Sequence, residues 1–244
     1  MHNLGHTRSV QAREYYLLTP DTFVRTVLPG MRDAVAVVHV SPVAGAGFMQ
    51  YSAELESGGV LGGTSAQRFI FVLEGVVELS AEGKDYKMGV DGYAYLPVGV
   101  EHTVTATKKA RLAVIEKAYD PMAGVAAAKV LVGSEGSVES VALMGDKDLQ
   151  VKSLLPDDPA LDFAVNTMSY EPGASLSMTE IHIMEHGLLM LEGGGIYKLG
   201  SDWHPVTVGD FIWMAPYCPQ WFGAIGKKAA KYLIYKDWNR HPLA

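Results

Sequence analysis

"VDGYAYLPVGVEH" occupies residues 90–102, and 118 positions later "VGDFIWMAPYCPQ" occupies residues 208–220. Laid over each other without a gap, Val90 meets Val208, while Tyr93, Tyr95 and Leu96 meet Phe211, Trp213 and Met214. The same offset places Leu73, Glu74 and Gly75 of "VLEG" on Leu191, Glu192 and Gly193 of "MLEG". One register that matches two separated blocks reads as a duplicated domain, each copy of roughly 110–120 residues and within the usual domain range. A tandem of whole domains is expected rather than a solenoid, whose period is shorter. The expected division is a first domain with an N-terminal arm over 1–120, a linker region over 121–145 and a second domain over 146–244.

The runs between the turn residues are β-like. "RFIFVLEG", "RLAVIEKAY", "DFAVNTMSY", "GLLMLEGGGIYKL", "DFIWMAP" and "KYLIYKDW" are short, rich in β-branched and aromatic residues, and punctuated by Gly and Pro. That pattern predicts an all-β sandwich or barrel. "PMAGVAAAKV" at 121–130 reads equally as a short helix or as an alanine-biased loop.

Composition narrows the function classes. The 244 residues are 48% hydrophobic and 19% charged, which is globular, and the formal net charge is -7 with acids and bases dispersed. A nucleic-acid partner would call for a basic patch, and none is visible. Cys218 is the single cysteine, so an intrachain disulfide and a Cys-rich zinc module are both excluded. No run approaches the ~18 apolar residues of a membrane span, and "MHNLGHTRSVQAREYYLLTP" carries no apolar signal-peptide core. A soluble cytoplasmic protein is expected.

The chemistry concentrates in "TEIHIMEHG", residues 179–187. On a strand, residues two apart share a face, so Glu180 and His182 are expected to point together, with His186 reaching the same point beyond a bend. The duplicated register supplies a fourth donor, Gln220, opposite His102 of the first copy. Two imidazoles, a carboxylate and a carboxamide make a mixed N/O set suited to Mn, Fe(II), Co, Ni or Zn. Each residue alone has an ordinary reading. Single histidines are more often structural or surface groups, a Gln beside a Trp usually makes hydrogen bonds, and Cys218 suits a small buried hydrophobe. Tyr232 reads as a core aromatic. Lys236, on an apolar strand, needs a partner or a route to solvent.

The spacing Glu180-x-His182-x3-His186-x6-Gly193, followed by Gly209-x5-Ala215-x4-Gln220, resembles the paired motifs of the cupin superfamily, with the ligand types exchanged. In the first copy the matching positions are Gly62, Thr64, Arg68 and His102, of which only His102 is a metal-ligand type. The implied fold is a bicupin, two tandem double-stranded β-helix barrels with metal ligands lost from the first. The altered ligand order, together with "MAPYCPQW", "YLIYKDWNR" and "REYYLLTPDTFVRTVLPG", resembles the (S)-ureidoglycine aminohydrolase family over nearly the whole chain, most strongly over 171–243. That resemblance implies a manganese-dependent hydrolase of purine and allantoin catabolism that converts (S)-ureidoglycine to (S)-ureidoglycolate and ammonia. It implies Mn2+ on Glu180, His182, His186 and Gln220. It further implies Glu180, Tyr232 and Lys236 in catalysis, substrate contacts from Glu180, Gln220, Tyr232 and Lys236, and assembly into a homo-oligomer. Two other readings of the same barrel are a cupin dioxygenase or isomerase acting on another small polar substrate, and a non-catalytic small-molecule binder; fold alone does not choose.

Overall fold

The computed structural model of the chain describes residues 6–240. The two ends of the expected domains and the tail of the 171–243 resemblance fall partly outside them. Within the described residues the elements are strands and three short 3-10 turns, in line with the all-β expectation. Residues 121–130 form turns and irregular chain rather than a helix, and no described helix is long and apolar enough to cross a membrane.

The offset read from two blocks runs through five consecutive strands. Gln67–Glu74, Val77–Ala81, Lys84–Met88, Gly92–Leu96 and His102–Ala106 answer to His186–Glu192, Gly194–Leu199, Asp202–Thr207, Phe211–Met214 and Gln220–Ala224. The closing strands, Ala110–Lys117 and Ala230–Asp237, are 120 apart. The shared Leu-Glu-Gly has a backbone cause. Gly75 and Gly193 have φ of +80° and +61°, and a Cβ on either would sit 2.3 Å from a carbonyl oxygen, that of Lys109 or Ala229. Only glycine fits a left-handed turn pressed so closely on a neighbouring strand.

One compact unit is Val24–Val138 with Asp157–Asp162. Its ten-stranded sheet includes Met49–Val60, which pairs with Ala110–Lys117 over Met49 to Leu55 and reaches Thr105 at Val60. A strand that serves two neighbours at its two ends turns the sheet into a barrel. Inward residues such as Tyr51, Ile70, Leu79, Leu96 and Val104 fill it. The short return segment is pinned by Asp162, fully buried, which accepts from Gln67 Nε2 at 2.6 Å, Lys117 Nζ at 2.5 Å and the Asp120 N–H at 2.9 Å.

The other unit comprises the chain up to Phe23, Glu139–Pro156, and the chain from Phe163 onward. It pairs an eight-stranded sheet with a three-stranded one made of Asp202–Thr207, Gly194–Leu199 and Gln220–Ala224. Leu17, Leu188, Met190, Phe222 and Tyr232 belong to its core. The arm therefore departs from expectation: it belongs to this unit, not to the barrel of residues 1–120. Phe211–Met214 would otherwise be an open sheet edge, and Tyr15–Leu18 pairs along it from Met214 to Phe211. Arg8 then clasps Asp210 through two bonds of 2.6 and 2.9 Å. In the first unit the matching edge, Gly92–Leu96, is covered by Leu131–Ser134 from within the expected linker.

Candidate metal centre and active site

Glu180 is held by an isolated bridge to Gln220. Its N–H donates to the Gln220 carbonyl at 2.8 Å, and the Gln220 N–H returns a bond of 3.0 Å. Residues 181–185 are irregular, so the expected strand alternation of Glu180 and His182 does not apply. The loop brings His182 round instead, fixed by the Tyr217 N–H donating to its carbonyl at 2.8 Å. His186 opens the His186–Glu192 strand directly opposite Lys236, and Tyr232 lies one strand period pair from Lys236, on the same inward face.

Glu180, His182, His186, Gln220, Tyr232 and Lys236 all line one cavity of about 170 Å³. The rest of its wall is largely apolar, including Leu143, Val151, Leu176 and Ile234. His186 is 4% exposed and Gln220 3%. The His186 Nδ1–H donates to the Tyr235 carbonyl at 3.2 Å, which leaves the Nε2 lone pair facing His182 Nε2 at 3.3 Å. Burial pushes His186 down to about 3, so its imidazole is neutral. Burial raises the Glu180 carboxyl, while His182 and Lys236 pull the other way. The Lys236 ammonium lies 4.3 Å from the Trp238 ring centroid, a cation–π contact.

The donor set fits a divalent cation. Ligands adjacent on one ion with bonds of ~2.1 Å stand ~3 Å apart. His182 Nε2 is 3.3 Å from His186 Nε2 and 3.0 Å from the Gln220 amide nitrogen, with the Glu180 carboxylate at 4.0 Å. A half-turn of the amide presents oxygen in place of nitrogen. With the carboxylate at that distance, no three His, Cys, Asp or Glu side chains among the described residues close into a metal cluster. Nonetheless, His182 Nδ1 is buried without a partner, so in the tautomer that carries its proton there, two Nε2 lone pairs face each other. A cation satisfies that arrangement.

Sequence reasoning missed three residues here. Tyr197 donates to Gln220 Oε1 at 3.3 Å. Tyr170 sits behind Tyr232, the two hydroxyls 2.7 Å apart, and burial holds the Tyr232 phenol far above its ordinary value, so it stays neutral. Asn166 lines the cavity, and its carboxamide makes no hydrogen bond among the described residues. The parity of "DFAVNTMSY" was the available signal, since Ala164, Asn166, Met168 and Tyr170 alternate on one face.

In the first unit, Arg68 holds the register position of His186 and is 3% exposed. Its guanidinium bonds Glu116 Oε1 at 2.6 and 2.9 Å, the Gly62 carbonyl at 2.6 Å and His102 Nε2 at 2.8 Å. Glu116 pairs with Arg68 as Lys236 pairs with His186. Tyr51 completes the group with a 2.8 Å bond to Glu116. A fixed organic cation thus occupies the place where the second unit gathers its donors.

No family model matches the chain. It is 40% identical over 242 residues to an (S)-ureidoglycine aminohydrolase of Arabidopsis thaliana, covering 98% of this chain and 80% of that one. A protein of the same name from Escherichia coli K12 is 31% identical over 244 residues, covering 97% and 93%. Among solved structures, the Escherichia coli protein Ylba superposes with a TM-score of 0.86 at 29% identity, covering 98% and 97%. Bacillus subtilis oxalate decarboxylase, a protein with Mn(II) centres, gives 0.72 at 9% identity over 96% and 80%, a likeness of fold. The fold is that of two tandem β-barrels, as expected of a bicupin. An identity of 40% over an alignment that covers 98% of the chain places it in the (S)-ureidoglycine aminohydrolase family.

Proposed function

We infer that the protein hydrolyses (S)-ureidoglycine: water adds at the α-carbon, the bond to the α-amino group breaks, and (S)-ureidoglycolate and ammonia leave. The observation that carries this reading is the gathering of six residues, Glu180, His182, His186, Gln220, Tyr232 and Lys236, round one small cavity in a chain of this family. A divalent cation held by the first four, manganese by the family resemblance, would anchor an anionic substrate and polarise the group it touches. Lys236 balances the substrate carboxylate, and the neutral Tyr232 hydroxyl orients the remainder. Glu180 is the group to move a proton: burial raises its carboxyl above the ordinary value, with His182 and Lys236 pulling the other way. The dioxygenase and isomerase readings lose ground to membership in a hydrolase family. A symmetric homo-oligomer follows from the same resemblance, and light scattering tests it.

The test generates ureidoglycine in situ from allantoate and follows the product by circular dichroism against an enzyme-free control, because the substrate also loses ammonia unaided. Rapid formation of optically active (S)-ureidoglycolate, lost in Glu180→Gln and Lys236→Ala, is expected. Racemic product at the control rate would overturn the reading.

A further inference from the structure

We propose that Asn166 recognises the ureido end of the substrate, pairing its carboxamide edge to edge with the O=C–NH2 group. The proposal rests on the aminohydrolase reading and adds a specificity-determining residue to it. Asn166 is 9% exposed and lines the cavity. It stands opposite Ile234 in the strand register, so Tyr232 and Lys236 are its diagonal neighbours on the inward face. The other polar groups are engaged: Gln220 with Tyr197 and His182, Tyr232 with Tyr170. Asn166 alone among these brings both an unused donor and an unused acceptor to an apolar wall.

The Asn166 carboxamide opens onto the cavity, so its donor and acceptor are available to whatever fills that space. A ureido group engages both in one step. Its carbonyl accepts from the Asn166 NH2 while its NH2 donates to the Asn166 oxygen, two antiparallel bonds on coplanar partners. A carboxylate would meet only the donor and repel the oxygen, which separates the two ends of the substrate: the carboxylate end belongs at Lys236, the ureido end at Asn166. Sites that bond a polar substrate group discriminate strongly against analogues that lack it.

Calorimetric titration of the manganese-loaded protein with N-carbamoylglycine and N-acetylglycine tests this without turnover. The pair differ only in a terminal NH2 or CH3. The native protein should prefer the carbamoyl ligand by about tenfold or more, the scale of one lost hydrogen-bonded partner. Asn166→Leu should abolish the preference while metal content is kept, and should raise KM for ureidoglycine more than it lowers kcat. Asn166→Ala carries the same test if the leucine variant does not fold. Equal or undetectable binding of the two ligands by the native protein, or a preference that survives the substitution, overturns the proposal. Failure of the native protein to turn over ureidoglycine would sink the aminohydrolase reading instead, and the ligand preference is measured independently of it.

Discussion

At His186 one ring nitrogen is committed to the Tyr235 carbonyl, and the other therefore faces the cavity as a lone pair. An alanine there removes that nitrogen from the cavity. His186→Ala should lower bound manganese by at least about tenfold, the scale seen for lost metal-site support, measured by elemental analysis after dialysis. A second histidine governs acid stability. His39 is buried, hydrogen-bonded to Ser52 Oγ at 2.9 Å, and burial pushes it down to about 3. Its unfolded value is ~6.5, so the unfolded chain binds the extra proton first and stability falls as pH drops from ~6.5 towards ~3. At pH 5 the loss is on the order of 2 kcal/mol. His39→Gln should flatten that decline, seen by urea unfolding at pH 7 and pH 5; an unchanged slope would refute the assignment. The residues that gather at the cavity were legible because spacing and residue type are local facts. Tyr197 and Asn166 were not, because their significance comes from what the barrel sets opposite them.

Strands flanked by tight glycine turns were the most readable elements. Gly193 shows why: the left-handed φ and the nearby Ala229 carbonyl leave no space for a methyl group. Gly193→Ala should destabilise the second unit by about 2 kcal/mol or more, through strain at a position that favours glycine, and thermal melting checks it. Retained melting temperature would mean that the neighbouring strand yields freely. The arm could not be read in the same way. Nothing in "REYYLL" states which of two similar edges it covers, and the arm is fixed on Phe211–Met214 by a contact 202 residues away in sequence, where Arg8 meets Asp210. Glu-Ile-His misled for a related reason. It alternates like a strand, but its backbone is satisfied by one bridge to Gln220 and one bond from Tyr217.

The chain as a whole holds two versions of one plan, and they should respond differently to chelation. A ligand bound only by the folded state stabilises it, by an amount that grows with the logarithm of its concentration over Kd. Stripping manganese should therefore lower the melting of the second unit while leaving the first unchanged, resolved by calorimetry with and without EDTA. Arg68→Ala should do the converse. Removing one member of a buried ion pair costs about 3 kcal/mol, and manganese content should stay as it was. Both barrels were visible in the sequence as a repeat. The exchange of a histidine for Arg68 was visible as well, but its meaning required Glu116, 48 residues further on.

Arg68 also sets a timetable. Its positive charge leaves the ribosome as part of the polypeptide, so the first barrel has every charged group it needs once Asp162 has been translated. On the proposed function, the second barrel must still acquire a divalent cation from its surroundings. A cell short of that cation would then hold chains that are finished in one half and waiting in the other, ready to be switched on by a change in supply with no new synthesis.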